Sequence, residues 1–484
     1  MGILGILAGL CLLIWLAYRG WSVLLLAPAA ALLAALFAGE PLLAHWTQTF
    51  MGSSARFVAQ FFPLFLLGAV FAKLMEDSGS VSVIAKFMVR RLGERRAILA
   101  VVLAGALITY GGVSLFVAMF VLAPMAQELF RSAGVPRRLI PAAIILGTST
   151  FTMSALPGAP SIQNAIPMPY FGTTLFAAPG LGIVAASIML GFGMWWLGRE
   201  AARARSTGEK FGEGEPAPAH RLASDERLRE RATAAREFDP AELTHGHAAV
   251  AAPTITMAAL PLVMVVSINL LMSQVVLPRL QAEFLSQVRW GETSLSAVAG
   301  VWAVITALAC AIAVAVAINF RRLPRLRETM DAGANASVLP AVTVASMVGF
   351  GAVIAALPAF GAARDWLLGI GGGPLVSLAL ATNLLAALTG SASGGLTIAL
   401  DALAGEFVAR ASDAGLDPSL LHRVAVIGAG TLDILPHSGA VVTLLAVCGS
   451  THREGYRDII MAGIVSAALA LIAVIALGSM FGSF

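Results

Sequence analysis

The sequence predicts an all-α polytopic membrane protein made of two inverted repeats, with about ten transmembrane helices, two re-entrant hairpins and two interrupted helices. Composition, the recurrence of apolar stretches and an internal repeat predict it together. Across 484 residues the chain is 58% hydrophobic and only 12% charged, where soluble domains carry roughly 25% charged residues. Apolar stretches of about 20 residues, enough to cross a ~30 Å hydrocarbon core, recur from one end to the other. Residues 64–165 resemble residues 347–444 at a nearly constant offset.

Taken in order, the expected spans are 3–18, 22–38, 57–75, 139–168, 174–198, 253–276, 295–319, 336–358, 421–450 and 458–480. The first has no basic residues ahead of it and reads as a span rather than a cleaved signal peptide. Two further apolar segments, 97–130 and 374–409, are too long for one span and carry a glycine-rich break near the middle, so they read as re-entrant hairpins. With both termini outside, this layout puts 25 Lys and Arg residues on the cytoplasmic side and 6 outside, as the positive-inside rule requires of an inner-membrane protein. The six outer residues are Arg56, Arg279, Arg289, Arg364, Arg410 and Arg423, and no Lys or Arg is expected near the middle of a span. Trp15, Trp21, Trp195, Trp196 and Trp290 fall near span ends, where tryptophan anchors helices at the interface. Cys11, Cys310 and Cys448 lie far apart in apolar text, without metal-ligand spacing, and read as small hydrophobes.

The domain order that results is a first repeat over 1–198, a cytoplasmic linker over 199–252 and a second repeat over 253–484. The stretch 199–250 mixes nine basic with ten acidic residues and is rich in Ala, Gly and Pro, which suits a flexible connector. The repeats match in three places: LFLLGAVFAKL (64–74) with VGFGAVIAALP (348–358), the hairpin text TYGGVSLFVAMFVLAPMAQELF (109–130) with TGSASGGLTIALDALAGEFV (389–408), and 144–161 with IGAGTLDILPHSGAV (427–441). The offset stays near 279–283 residues. The layout opens the first hairpin to the cytoplasm and the second to the outside, so the halves are inverted. Inverted repeats with interrupted helices meeting at the bilayer midplane are a transporter architecture.

Four breaks therefore mark the expected site. Two are hairpin tips, around Gly111, Gly112 and Ser114 and around Ser391, Ser393, Gly394 and Gly395. Two interrupt spans, at Ser149 and Thr150 and at Thr431, Asp433, His437 and Ser438. Irregular backbone at membrane depth persists only where it is buried in protein or lines a wet cavity. Freed N–H groups at half-helix N-termini favour an anion, and freed carbonyls suit a cation. Taken singly, glycine and serine in a membrane helix serve close packing or backbone hydrogen bonding; four clusters at matching repeat positions point to function. A small organic anion is the expected substrate, held by helix ends, hydroxyls and an imidazole. Asp433 lies near the centre of its span, where a charged carboxylate costs at least ~2.5–3.5 kcal/mol. Proton or sodium occupancy would remove its repulsion of an anion, which is a route to coupling. Thr431 lies beside it as a second coupling-ion ligand. His437 is placed to donate to a carboxylate or relay a proton. The first repeat has no counterpart of either, since Met153 or Ser154, and Gly158, fall there.

At LTGSASGGLTIALDAL and TLDILPHSGAVVTLLAVCGSTHREGY the chain resembles the gluconate permease (GntP) family of proton symporters, most of all its D-3-hydroxybutyrate permease branch. The likeness is clearest over 375–460 and extends in hydropathy order to the whole chain. It departs from the family's Leu-Pro-His-Asn-Gly motif at Ser438, which stands at the Asn position. The resemblance implies a secondary transporter of sugar acids or short hydroxy acids, coupled to H+ with Na+ as the alternative, needing no cofactor and no metal. It implies a homodimer in a bacterial inner membrane with no nucleic-acid partner. It also implies an elevator motion, with spans 1–3 and 6–8 as scaffold and the hairpins with spans 4, 5, 9 and 10 as the moving part. A sodium-coupled carboxylate carrier or a sodium/proton antiporter is the competing transport reading. Against an intramembrane enzyme, the chain lacks His-Glu-x-x-His, Ser438 directly follows His437 in a geometry unsuited to a serine–base pair, and a lone Asp433 forms no dyad. Against a passive channel, no ring of repeated charged residues is present.

Overall fold

The computed structural model describes residues 2–18, 21–209, 211, 249, 251–436 and 438–484. Among them there is no strand, and seven helices are long and apolar enough to cross a membrane. In chain order the first half has α1 (Gly2–Tyr18), α2 (Val23–Ala38), α3 (Leu42–Asp77), α4 (Ser80–Leu92), α5 (Ala97–Tyr110), α6 (Leu115–Ser132), α7 (Ile140–Thr148) and α8 (Pro179–Thr207). The second half has α9 (Ile255–Arg279), α10 (Leu295–Asn319), α11 (Leu326–Ala356), α12 (Phe360–Leu368), α13 (Gly373–Thr389), α14 (Ala392–Asp413), α15 (Pro418–Thr431), α16 (Gly439–Val447) and α17 (His452–Phe481). Short turns at Phe151–Ser154, Ile162–Ala165 and Pro167–Phe171 fill the first half between α7 and α8.

The two series run in the same order: a helix pair, a long helix, a short connector, a hairpin, an interrupted helix and a closing helix. Corresponding elements meet antiparallel. Ser54 Oγ of α3 donates to Ala345 O of α11 at 2.8 Å, while Thr329 Oγ1, at the start of α11, donates to Asp77 Oδ2, at the end of α3, at 2.7 Å. Between these points the backbones nearly touch, because a Cβ on Gly333 would lie 2.7 Å from Val70 Cα. Such close approach by small residues holds helices together in lipid, where burial of apolar area supplies no drive. The closing helices repeat the arrangement: Gly180 N donates to Phe484 O at 2.7 Å, and Trp196 Nε1 donates to Asp458 Oδ1 at 3.0 Å. The contacts also cross over, with α3 packing on α10 and α11 on α2.

Each hairpin lies against its own interrupted helix through a glycine. A Cβ on Gly147 of α7 would strike Val102 O of α5, and one on Gly428 of α15 would strike Thr382 Oγ1 of α13. These glycines stand 281 residues apart, within the offset read from the sequence. Within the second hairpin the arms meet backbone to backbone, since a Cβ on Gly395 would collide with the amide nitrogen of Ala386. The tips turn at Gly112 (φ +95°) and Gly390 (φ +65°), left-handed positions that favour glycine.

Several boundaries differ from the sequence expectation. α3 begins at Leu42, not 57, because a wide π-type turn over His45–Phe50 carries the polar text His45-Trp46-Thr47-Gln48 into the helix. Arg56 is therefore a helical residue rather than a loop residue. α8 starts later, at Pro179, and runs into the expected linker as far as Thr207. There Glu200 is buried against Arg138 at 3.3 Å, and Arg199 stacks over Trp196 at 5.5 Å. Trp196, expected as an interfacial anchor, is buried by its bond to Asp458. Arg138 gathers three acids, reaching Asp458 at 2.6 Å, Glu209 at 2.9 Å and Glu200 at 3.3 Å. The remainder of the linker, apart from residues 208, 209, 211, 249, 251 and 252, lies outside the described residues.

Candidate functional site

The first tip, the first break and the long helices α3 and α11 enclose a cavity of about 190 Å³. That is below the ~300–1,000 Å³ usual for drug-sized ligands and suits a small organic molecule. Leu64, Gly68 and Ala72 of α3 and Pro340 and Val344 of α11 supply an apolar wall. Facing it are the hydroxyls of Thr109, Ser114, Thr148, Thr152 and Ser161, with Gln163 and, from the second tip, Ser393. None of the lining residues carries a charge.

The break itself is held open by its side chains. Thr148 and Thr150 donate back to Ile144 O and Leu146 O at 2.9 and 2.7 Å, the i−4 bonds with which threonines satisfy helix carbonyls. Tyr110 OH donates to Pro157 O at 2.7 Å and Ser161 Oγ to Met153 O at 2.7 Å, so the tip and the broken segment form one wall.

A second, far smaller space of about 10 Å³ lies next to it, sharing Leu115. It is walled by Ser149, Gly390, Ser391, Ala392, Asp433, Ile434, Ser438 and Ala440. That volume is about one water or one dehydrated ion. Its walls come from both breaks and the second tip, including the first turns of α14 and α16, whose partial positive charge favours an anion. The two spaces are bridged by hydroxyls: Ser391 Oγ, on the small pocket, is 3.2 Å from Ser393 Oγ, on the cavity. Carbonyls of the second break are tied down by α17, where His452 Nε2 donates to Pro436 O at 2.8 Å and Tyr456 OH to Ile434 O at 3.4 Å.

Of the residues expected from the sequence, Gly112, Ser114 and Ser393 line the cavity, and Ser149, Ser391, Asp433 and Ser438 line the small pocket. Gly111 packs on Leu262 of α9 and Gly395 on α13. The Gly394 N–H is taken by Ser391 Oγ at 3.2 Å, a helix N-cap, and the hydroxyls of Thr150 and Thr431 serve their own helices. His437 lies outside the described residues.

The sequence reading missed a buried polar cluster behind the cavity wall. Arg423, expected at the outer membrane edge, is 0% exposed within α15. Its guanidinium donates to Ala177 O (2.6 Å from Nη2, 3.2 Å from Nε), Ser154 O (3.2 Å), Leu175 O (3.5 Å) and Asn164 Oδ1 (3.4 Å). Asn164 Nδ2 donates to Ala159 O and Leu175 O, so its Oδ1 is the acceptor for both Arg423 and His422 Nε2, the latter at 3.1 Å. His422 Nδ1 then accepts from Thr173 Oγ1 at 2.6 Å. Both ring nitrogens are satisfied by a neutral imidazole with its proton on Nε2.

The family model for GntP family permeases matches residues 1–192. The transporter YxjC of Bacillus subtilis is 39% identical over 493 residues, spanning 100% of each chain. Two solved transporters share the fold. The Alcanivorax borkumensis YdaH transporter, described as having an unusual topology, has a TM-score of 0.52 and 18% identity, over 91% of this chain and 88% of that one. Neisseria gonorrhoeae MtrF, described among antimetabolite efflux pumps, has a TM-score of 0.51 and 17% identity, over 90% and 84%.

Proposed function

The chain belongs to the GntP permease family, a multi-pass secondary transporter rather than an enzyme, and from this premise we propose that it is a proton-coupled symporter of a small hydroxycarboxylate. The observation that carries the reading is the convergence of both tips and both breaks on two adjacent spaces of very different size. An uncharged, hydroxyl-rich cavity of about 190 Å³ suits an organic anion, and a pocket of about 10 Å³ beside Asp433 suits the coupling ion. With Asp433 ionised, its charge opposes an incoming carboxylate; once it is protonated, the repulsion is gone and both load together. The Ser391–Ser393 pair joins the two sites at 3.2 Å. Substrates of the 3-hydroxybutyrate or gluconate type follow from the likeness to the D-3-hydroxybutyrate permease branch.

The antiparallel pairing of α3 with α11 and of α8 with α17 supports inverted repeats over 1–198 and 253–484, joined by a cytoplasmic linker over 199–252. The leading arms of the first and second hairpins have 14 and 17 residues, about 21 and 26 Å of helix against a ~30 Å core, which supports re-entrant hairpins. We place both termini outside the bacterial inner membrane, with two copies forming a homodimer. Cysteine labelling beside Arg131 and Arg410 is expected on opposite faces; labelling on one face overturns this topology.

Uptake of radiolabelled 3-hydroxybutyrate and gluconate into proteoliposomes tests the function, with an inward proton gradient and no sodium. Accumulation that a protonophore collapses is the expected result. Uptake that begins only with sodium replaces proton coupling by the second reading, a sodium-coupled carboxylate carrier, for which the side-chain oxygens of Ser149, Ser391, Asp433 and Ser438 would supply the ligands. No uptake of either acid under both conditions overturns the substrate class.

A further inference from the structure

We propose that Arg423 is the built-in cation of the first-half break, a positioning residue whose fixed charge biases the cavity towards anions. The inference rests on the anion-transport reading given above and adds the residue that supplies the charge. Arg423 is the largest fully buried side chain among the described residues. Its acceptors are three main-chain carbonyls from the segment between α7 and α8, and one amide oxygen. No carboxylate of the described residues lies within 4.0 Å of it.

Carbonyls released by a broken helix at membrane depth commonly coordinate a transported cation. Here the planar fork of an arginine from the opposite half gathers one such carbonyl, that of Ser154, together with those of Leu175 and Ala177 just ahead of α8, and arginine keeps its proton at neutral pH. Dipoles solvate this charge without cancelling it, and in a low-dielectric interior its field reaches further than in water. The residues it grips adjoin the cavity wall directly. Ser154 follows Met153, and Asn164 lies between Gln163 and Ala165, all three of these neighbours lining the cavity. The helix α8 closes over the guanidinium so tightly that a Cβ on Gly182 would lie 3.4 Å from Arg423 Nε. A clamp that merely folded the return loop would need the hydrogen bonds and not the charge. Arg423→Lys keeps the charge and loses the fork; Arg423→Gln loses the charge and keeps a donor.

The test reads local potential without any substrate. With Cys11, Cys310 and Cys448 replaced, Ser161→Cys places a thiol on the cavity wall for reaction with anionic and cationic methanethiosulfonates. The anionic-to-cationic rate ratio is expected to fall about tenfold in Arg423→Gln and to stay within about twofold in Arg423→Lys. In proteoliposomes active with 3-hydroxybutyrate or gluconate, KM should rise about tenfold in Arg423→Gln with little change in kcat. An unchanged ratio in an Arg423→Gln protein that elutes and melts like its parent overturns the proposal. If that variant does not fold, a collapsed ratio in folded Arg423→Lys overturns it equally. A wild-type protein that takes up neither acid would sink the transport reading while the thiol ratios still decide the role of Arg423.

Discussion

The two interrupted helices occupy matching places in their halves and differ in what fills the gap. In the first, the carbonyl of Ser154 in the gap, with those of Leu175 and Ala177 ahead of α8, receives a cation, Arg423, from the other half. In the second, the gap after Thr431 holds Asp433, a group able to gain and lose a proton, beside a space of about 10 Å³. One break is therefore met by a cation and the other holds a carboxylate. Symmetry of the backbone supplies two similar frames, and on the proposed reading the side chains divide attraction of the anion from coupling to the ion.

The sharpest way to break this division is Asp433→Asn. It is expected to abolish proton-driven accumulation while leaving counterflow of labelled for unlabelled substrate; full accumulation in the variant would move coupling elsewhere. Next in size is the start of the first interrupted helix. α7 is preceded by Arg138, which neutralises Glu200 and Asp458, whose side chains are 2% and 1% exposed. Arg138→Ala should destabilise the protein by about 3–5 kcal/mol, because it strands two buried carboxylates; thermal unfolding in detergent checks it. The matched glycines come third. Gly147→Ala and Gly428→Ala should each cost about 1–3 kcal/mol by overpacking against α5 and α13. Equal losses would sharpen the symmetry of the frames, and a neutral Gly428→Ala would break it. The smallest effect belongs to Asp417, whose Oδ1 accepts from Ser419 N at 2.6 Å and caps α15. Asp417→Ala should cost about 1 kcal/mol. Partial burial pushes the Asp417 carboxyl up, but the hydrogen bonds from Ser419 and Ser483 together outweigh that and hold it below its ordinary value. Its contribution is thus present above the unfolded carboxylate range and fades as pH falls through the lowered folded value. Melting curves taken on the acid side should converge for wild type and variant.

Much of the frame is legible in the sequence because it is written in hydropathy and glycine. The hairpins expected over 97–130 and 374–409 appear as helix pairs over 97–132 and 373–413. The span expected over 295–319 is α10 to the residue. The offset of 279–283 reappears as Gly147 and Gly428, each pressed on its own hairpin. Polar details were not legible. Arg423 near a span end reads as a side chain reaching for water, and nothing local reveals that its partners lie 246 to 269 residues away. His422 and Asn164 are likewise joined only by the fold, across 258 residues. Trp196 carries the signature of an interface anchor, yet Asp458 draws its indole inward. Gly111 and Gly395 read like tip residues open to a ligand, and only the packing of α9 and α13 separates them from Gly112.

The contact between Gly395 and Ala386 has a mechanical consequence. With no side chain between them, the arms α13 and α14 cannot slide or splay near their tip without first losing that backbone contact. The second hairpin is thereby built as a stiff lever, and any bending would fall at its feet, where Gly372 (φ +106°) and Gly415 (φ +66°) lie just outside the packed arms. A displacement at those feet would carry Ser391 and Ser393 together, and with them one wall of each space.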